Sequence, residues 1–422
     1  MEVIENLKVK EKVYIEKLKN GLTVKIIPKK DIRKKYIIWG TNYGSNDSKF
    51  IAPGEKDVTE VPRGVAHFLE HKMFEQKNGT NSLDVLTSLG VNANAYTTND
   101  HTAYLFEAID NFYKALDELM DYVQNPYFTD ENVEKEKGII GQEINMYNDY
   151  PDWKVYLNAL KAMYYEHPVK LDIAGSIESI SKIDKEILYK CYNTFYNPAN
   201  MVMVACGDFE PEELLGEIKK RLIDIESKGK IKRIYPEEPE SIVQNRIEEK
   251  MDVTIPLYVI GIKNGKIDEK EKVKKHIAIE ILLTMLLGES SNLYKNLYNN
   301  GYIYARPGLE YEFSNDYSHV LISGKSDNPE EVYKLFKQEI NKFKQEINKE
   351  DFERIKKKIY GTYIKEYDDV ADIARMFLSD TFKGINSFEY LEEIEALNVE
   401  YLKQVLEDVF KEEKMVLSTV KK

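Results

Sequence analysis

Residues 67–71, His-Phe-Leu-Glu-His, constrain this chain more than any other stretch. On an α-helix, residues three and four apart share a face, so His67, Glu70 and His71 converge while Phe68 and Leu69 turn the other way. The flanks Gly64-Val65-Ala66 and Met73-Phe74 are apolar enough to bury such a helix. Two imidazoles and a carboxylate on adjoining turns can hold a divalent metal and handle a proton beside it. Zinc suits nitrogen and carboxylate ligands, and its tetrahedral preference leaves a position for water. The pattern reverses the commoner H-E-x-x-H, in which the two histidines bind metal and the glutamate carries the proton. The whole chain has six histidines, and composition alone would produce this pattern on the order of once in a hundred such chains. A catalytic zinc also needs a third protein ligand, which must come from another element.

At 422 residues the chain is too long for one comfortable core and predicts two or more domains. Lys and Arg number 60 against 73 Asp and Glu, a net charge of −13, which argues against general nucleic-acid binding. Cys191 and Cys206 provide no disulfide framework and fit a reducing compartment. Residues 1–6 run into alternating charges without an apolar signal region. The most apolar later window, Ile279–Leu287, is interrupted by Glu280 and is about half a membrane span in length. The expectation is a cytoplasmic protein with no membrane segment.

Strands are predicted at 13–15 and 22–27, turned at Asn20-Gly21, and again at 36–39. A short helix near 82–88 precedes a hairpin of 93–97 and 102–106 around Asn99-Asp100. Phe112, Ala115, Leu116, Leu119, Met120 and Val123 recur with helical period up to Asn125-Pro126. A second helix opens at Thr129-Asp130 and runs to Tyr150-Pro151, placing Glu136 and Glu143 seven residues apart on one face. An isolated Glu pair of this kind reads as an ordinary solvated charge stripe, but Gly138, Ile139, Ile140, Gly141 and Ile144 make this the least charged part of the helix, which favours a Glu facing something inside.

These residues resemble the pitrilysin, or insulinase-like, metallopeptidases, whose members include the mitochondrial processing peptidase. The likeness is carried by the inverted motif at 67–71, the acidic pair Glu136 and Glu143, Asn94-Ala95-Tyr96-Thr97 before Thr102-Ala103-Tyr104, and Tyr196-Asn197-Pro198-Ala199-Asn200-Met201 leading into a strand. It is closest to bacterial two-domain members. The resemblance implies an α+β fold of two duplicated units, each an antiparallel β-sheet with helices packed on one face. It implies His67, His71 and Glu143 as ligands of one zinc ion per chain, Glu70 as the catalytic base, and Glu136 beside the ligand imidazoles. Duplication is also legible directly: helical patterns at 328–343 and 352–364 mirror those at 110–124 and 129–147, but Thr362 and Tyr363 stand where Glu143 would fall. The predicted division is a zinc-bearing domain at 1–228 and a homologous domain without metal at 229–422. The break falls in the polar, proline-rich stretch 226–240.

Zinc would lower the pKa of its water to about 7, and Glu70 would take that proton during attack on a peptide carbonyl. Asn94 and Ala95 would offer a sheet edge to an extended peptide, although Asn94 equally suits a local turn. The family pattern places an Arg and a Tyr of the second half near substrate; Tyr304 matches the Tyr, while residues 297–304 contain no Arg. The resemblance further implies a chamber between two such chains, hence a homodimer or a heterodimer with a paralogous chain. The function expected is zinc-dependent hydrolysis of peptides or unfolded segments. Alternatives are a non-proteolytic peptide-binding or assembly subunit, and a binding module with structural zinc. Structural zinc normally takes four protein ligands, and neither cysteine lies near the motif.

Overall fold

A computed structural model describes the chain apart from residues 224, 227 and 228. The elements run β1 (Glu2–Asn6), β2 (Glu11–Lys17), β3 (Thr23–Pro28), β4 (Lys35–Thr41), β5 (Lys49–Ile51), β6 (Thr59–Glu60), α1 (Val65–Lys72), α2 (Ser82–Ser88), β7 (Asn92–Thr97), β8 (Thr102–Ala108) and α3 (Phe112–Gln124). Next come α4 (Asp130–Asn148), α5 (Pro151–Met163), α6 (Ile177–Ser181), α7 (Lys185–Phe195), β9 (Met201–Gly207), α8 (Pro211–Arg221), β10 (Lys232–Arg233), β11 (Arg246–Lys250), β12 (Leu257–Asn264) and α9 (Lys272–Leu287). The chain ends through α10 (Asn292–Asn299), β13 (Gly308–Phe313), β14 (Ser318–Lys325), α11 (Pro329–Gln345), α12 (Lys349–Glu366), α13 (Val370–Lys383), α14 (Glu389–Ala396), α15 (Val399–Val409) and β15 (Met415–Lys421).

Two compact units result. The first comprises Met1–Ile144, Asp172–Tyr235 and Ile364–Ser387; the second comprises Asn145–Leu171, Pro236–Tyr363 and Phe388–Lys422. They are interleaved along the sequence, whereas the sequence reading drew a single cut between 228 and 229, at a position outside the described residues.

The first unit's main sheet has strand order β1-β2-β3-β9-β4-β8-β7, and the second unit's has β11-β15-β12-β14-β13. The last five strands of the first match the second in order and direction. Each has one parallel pair, β3 with β9 and β11 with β15, followed by antiparallel neighbours. The predicted duplication is therefore present in the topology, and the expected antiparallel sheets each carry one parallel exception.

Helices on one face describe each unit apart from a single exchanged helix. Every residue of β9 and β12 is buried, and strands buried on both sides need cover on both sides. Successive residues of β4 point to opposite faces. Ile37 and Trp39 join Phe68 and Leu69 of α1 in one core. Gly40 faces α13, and a Cβ added there would lie 2.9 Å from Leu378. In the second unit, Val155, Leu160 and Met163 of α5 pack with Leu257, Val259, Val416 and Val420. A Cβ on Gly261 would lie 2.8 Å from the Met163 sulfur. Gly40 pairs with Val202 and Gly261 with Val416, each the second residue of its strand. The two sheets thus receive the foreign helix at the same register, each on a glycine.

Gly40→Val drives a Cβ and its two methyls into the Leu378 and Phe382 side chains, which must shift, and overpacking of this kind costs about 1–3 kcal/mol. Chemical denaturation should show that loss as a lower midpoint with an unchanged slope; an unaltered midpoint would mean that the α13 contact is not tight.

Candidate metal centre

Helix α1 begins at Gly64, whose φ of 92° lies in the left-handed region and whose missing Cβ would stand 2.3 Å from the Ala174 carbonyl oxygen. That close approach fixes where the helix starts. Val65, Ala66, Phe68 and Leu69 then enter the core, leaving His67, Glu70 and His71 on the opposite side. Helix α4 supplies the facing carboxylates. Val133, Glu136, Ile140 and Ile144 form its buried stripe, so Glu136 is only 8% exposed, and Glu143 sits at the margin of that stripe.

The predicted ligands come together. One donor atom each from His67, His71 and Glu143 lies within 4.8 Å of the others. His67 Nε2 is 3.8 Å from Glu143 Oε1, and His71 Nε2 is 3.5 Å from Glu143 Oε2. The rings of His67 and His71 stand 4.6 Å apart by centroid. Glu136 takes its expected place: His71 Nδ1 donates to Glu136 Oε1 at 3.1 Å, which turns Nε2 toward the other donors. Glu70 accepts from the Thr97 hydroxyl at 2.6 Å. Thr97 is the last residue of β7, so this hydrogen bond joins α1 to the end of the terminal strand at Glu70.

Electrostatics separate the roles. Burial, reinforced by neighbouring His71, pushes His67 down to about 3, leaving it the neutral imidazole that a metal requires. Burial also depresses His71, but its hydrogen bond to Glu136 and the charges of Glu70, Glu136 and Glu143 outweigh it and raise the group. Glu70 is raised by burial, with the Thr97 hydrogen bond working against that shift. For Glu136, burial is opposed by His71 and Lys72, which together hold the carboxyl below its ordinary range.

The donor set fits zinc: two imidazoles and one carboxylate in a partly dry site, three protein ligands that leave zinc's fourth position to a non-protein ligand. His67 Nδ1 is buried without a hydrogen-bond partner, whereas His71 Nδ1 is engaged by Glu136. These three residues would hold the ion.

Other predicted residues are placed differently. Asn94 and Ala95 lie on β7, the terminal strand of its sheet, with no further strand of the described residues beyond it. Asn94 Oδ1 accepts from Ala95 N at 2.9 Å, so its side chain is used locally while the strand's outer backbone edge stays open. Tyr304 belongs to the second unit, is 50% exposed, and donates its hydroxyl to Asp327; it is not among the residues of the first unit's cluster. Sequence reasoning missed Thr97 and Lys72. Lys72 follows the motif on the inward side of α1, with Phe68 and Leu69, and is 1% exposed. A lysine at a core position with Glu75 three residues on was the available signal.

Fold and site define a duplicated α+β chain carrying an inverted zinc-type helix in one copy. The chain belongs to the insulinase family of peptidases, family M16. The model of that family matches residues 52–176, and the model described as the M16 inactive domain matches residues 182–359. A Bacillus subtilis protein, the uncharacterized zinc protease YmfH, is 36% identical over 99% of this chain and 98% of its own. The crystal structure of an M16-like peptidase from Alicyclobacillus acidocaldarius superposes with a TM-score of 0.94 at 34% identity, covering 99% of this chain and 100% of the other. An Arabidopsis thaliana protein described as the beta subunit of the mitochondrial-processing peptidase is 26% identical over 58% of this chain and 46% of its own.

Chelator-treated protein should rebind one zinc per chain, and a ligand that binds only the folded state at 100 times its Kd adds about 2.7 kcal/mol of stability. Thermal melts with and without zinc measure this gain. Glu143→Gln should abolish most of it, and a full gain in that variant would remove Glu143 from the ligand set.

Proposed function

We propose that the chain is a zinc-dependent metalloendopeptidase acting on peptides or unfolded segments. The observation that carries this reading is the juxtaposition of Glu70, held by Thr97, with the His67, His71 and Glu143 donors. Zinc, when bound, supplies Lewis acidity at a scissile carbonyl and lowers the pKa of a water beside it. Glu70 accepts the water's proton on its carboxylate and delivers it to the departing amine. Its burial favours the protonated form, so the proton is retained until the amine can take it, while the Thr97 hydroxyl keeps the ionised form accessible and aims the carboxylate.

The open side of β7 suits an extended peptide, added as a further strand through backbone hydrogen bonds. Asn94 and Ala95 would contribute main-chain groups there, so selectivity for side chains would be low. The named beta subunit among the relatives supports a partner for this chain, a second copy or a paralogue, completing a chamber around substrate. Two buried free cysteines fit a cytoplasmic setting. No single helix of the described residues is long and apolar enough to cross a membrane.

A second reading, a non-proteolytic peptide-binding subunit, is favoured by the engagement of Tyr304 with Asp327 and by the lack of Arg in 297–304. Hydrolysis of a quenched fluorogenic peptide by the zinc-loaded protein separates the two. Glu70→Gln should lower kcat by about 10²–10⁴-fold with zinc content unchanged. Thr97→Val removes a hydrogen bond that favours ionised Glu70, so the acidic limb of kcat/KM should move to higher pH. Absence of hydrolysis in both wild type and Glu70→Gln, with zinc bound, would support the second reading. Light scattering of the active species should report twice the chain mass, and an active monomer would overturn the chamber.

A further inference from the structure

We propose that Lys72 is a positioning residue for the metal ligand His71, acting through Glu136. Lys72 is among the largest fully buried side chains of the molecule, at 1% exposure. A lysine ammonium in that position needs opposite charge close by, because an unpaired buried charge is far more costly than a paired one. Two carboxylates meet it. Glu75, three residues on, forms an ion pair with it, and Glu136 Oε2 lies 3.6 Å from Nζ. The other oxygen of the same Glu136 carboxylate accepts from His71 Nδ1 at 3.1 Å.

The consequence is a three-part relay from the back of α1, through α4, to the ligand on the front of α1. A carboxylate has two oxygens in one plane, so fixing Oε2 fixes the direction from which Oε1 meets the imidazole. Glu136 alone could rotate about its terminal torsion, which is broad and soft. With Lys72 holding Oε2, the ring of His71 is held with Nε2 toward His67 and Glu143. Lys72 touches neither donor atom nor substrate, and its effect passes wholly through Glu136. Glu75 keeps the ammonium partnered from the other side and leaves the relay's geometry to Lys72 and Glu136.

This rests on the reading that His67, His71 and Glu143 hold zinc, and the test keeps the two apart. Zinc dissociation constants would be measured on metal-free protein by competition with a chromophoric chelator, for wild type, Lys72→Met, Glu136→Gln and the double variant. Methionine retains the length of the stem and deletes the charge. Groups that orient a ligand imidazole typically contribute 10–100-fold to metal affinity. Lys72→Met should weaken zinc binding within that range, and the double variant should bind no more weakly than Glu136→Gln alone. Should Lys72→Met lack a cooperative melt in its metal-free form, Lys72→Leu, which also removes the donor to Glu136 and suits the buried face shared with Phe68 and Leu69, takes its place under the same criteria. Zinc affinity within twofold of wild type in the lysine variant, or losses that multiply in the double variant, would overturn the relay. Wild type that binds no zinc would instead overturn the metal centre itself.

Discussion

The division of α1 into a core face and a polar face governs the rest of the first unit. Phe68 and Leu69 are wholly buried in the first unit's core, whereas His67, Glu70 and His71 project the other way. Neither face is free to rotate, because Gly64 abuts the Ala174 carbonyl at the helix entrance and Lys72 is committed to carboxylates at its exit. A helix pinned at both ends and anchored along its back presents three polar side chains with little orientational freedom. Preorganisation of that kind avoids paying for order when metal or substrate arrives.

Helix α4 answers α1 with two glutamates in unlike surroundings. Glu136 lies in the helix's own apolar stripe, where burial would neutralise it if His71 and Lys72 did not hold the ionised form. Glu143, seven residues on, is at the stripe's edge and reaches both imidazoles. One helix face therefore carries a carboxylate hydrogen-bonded to His71 Nδ1 and another among the imidazole donors, the difference being depth.

The motif, the α3–α4 pair and the β7–β8 hairpin are legible in the sequence because each is local. Periodicity and turn chemistry act over a dozen residues, and that window contains His67 with His71 and Glu136 with Glu143. Thr97 and Lys72 were not legible as site residues because their roles depend on which element lies opposite. A threonine on a strand and a lysine after a histidine are unremarkable until β7 and α4 are placed beside α1. The helices α5 and α13 are the larger case. Their amphipathic patterns specify an apolar face but not which sheet it will cover, so a linear division of the chain could not anticipate their exchange. Tyr304 was matched through its place in the segment 297–304 of the family pattern, and its hydroxyl is engaged with Asp327 in the second unit.

The exchanged helices bear on why a copy without a metal cluster persists. Among the described residues the one cluster of metal-binding type lies in the first unit, and the back of that unit's sheet is covered by α13, which arises from the second half of the chain. The second half is thus the source of structural cover for the half that bears the His-His-Glu cluster, and the first half returns the same service with α5. Neither duplicate can be lost, or drift freely in sequence, without uncovering the other. A lineage could discard the chemistry of one copy and still be bound by selection to keep its shape.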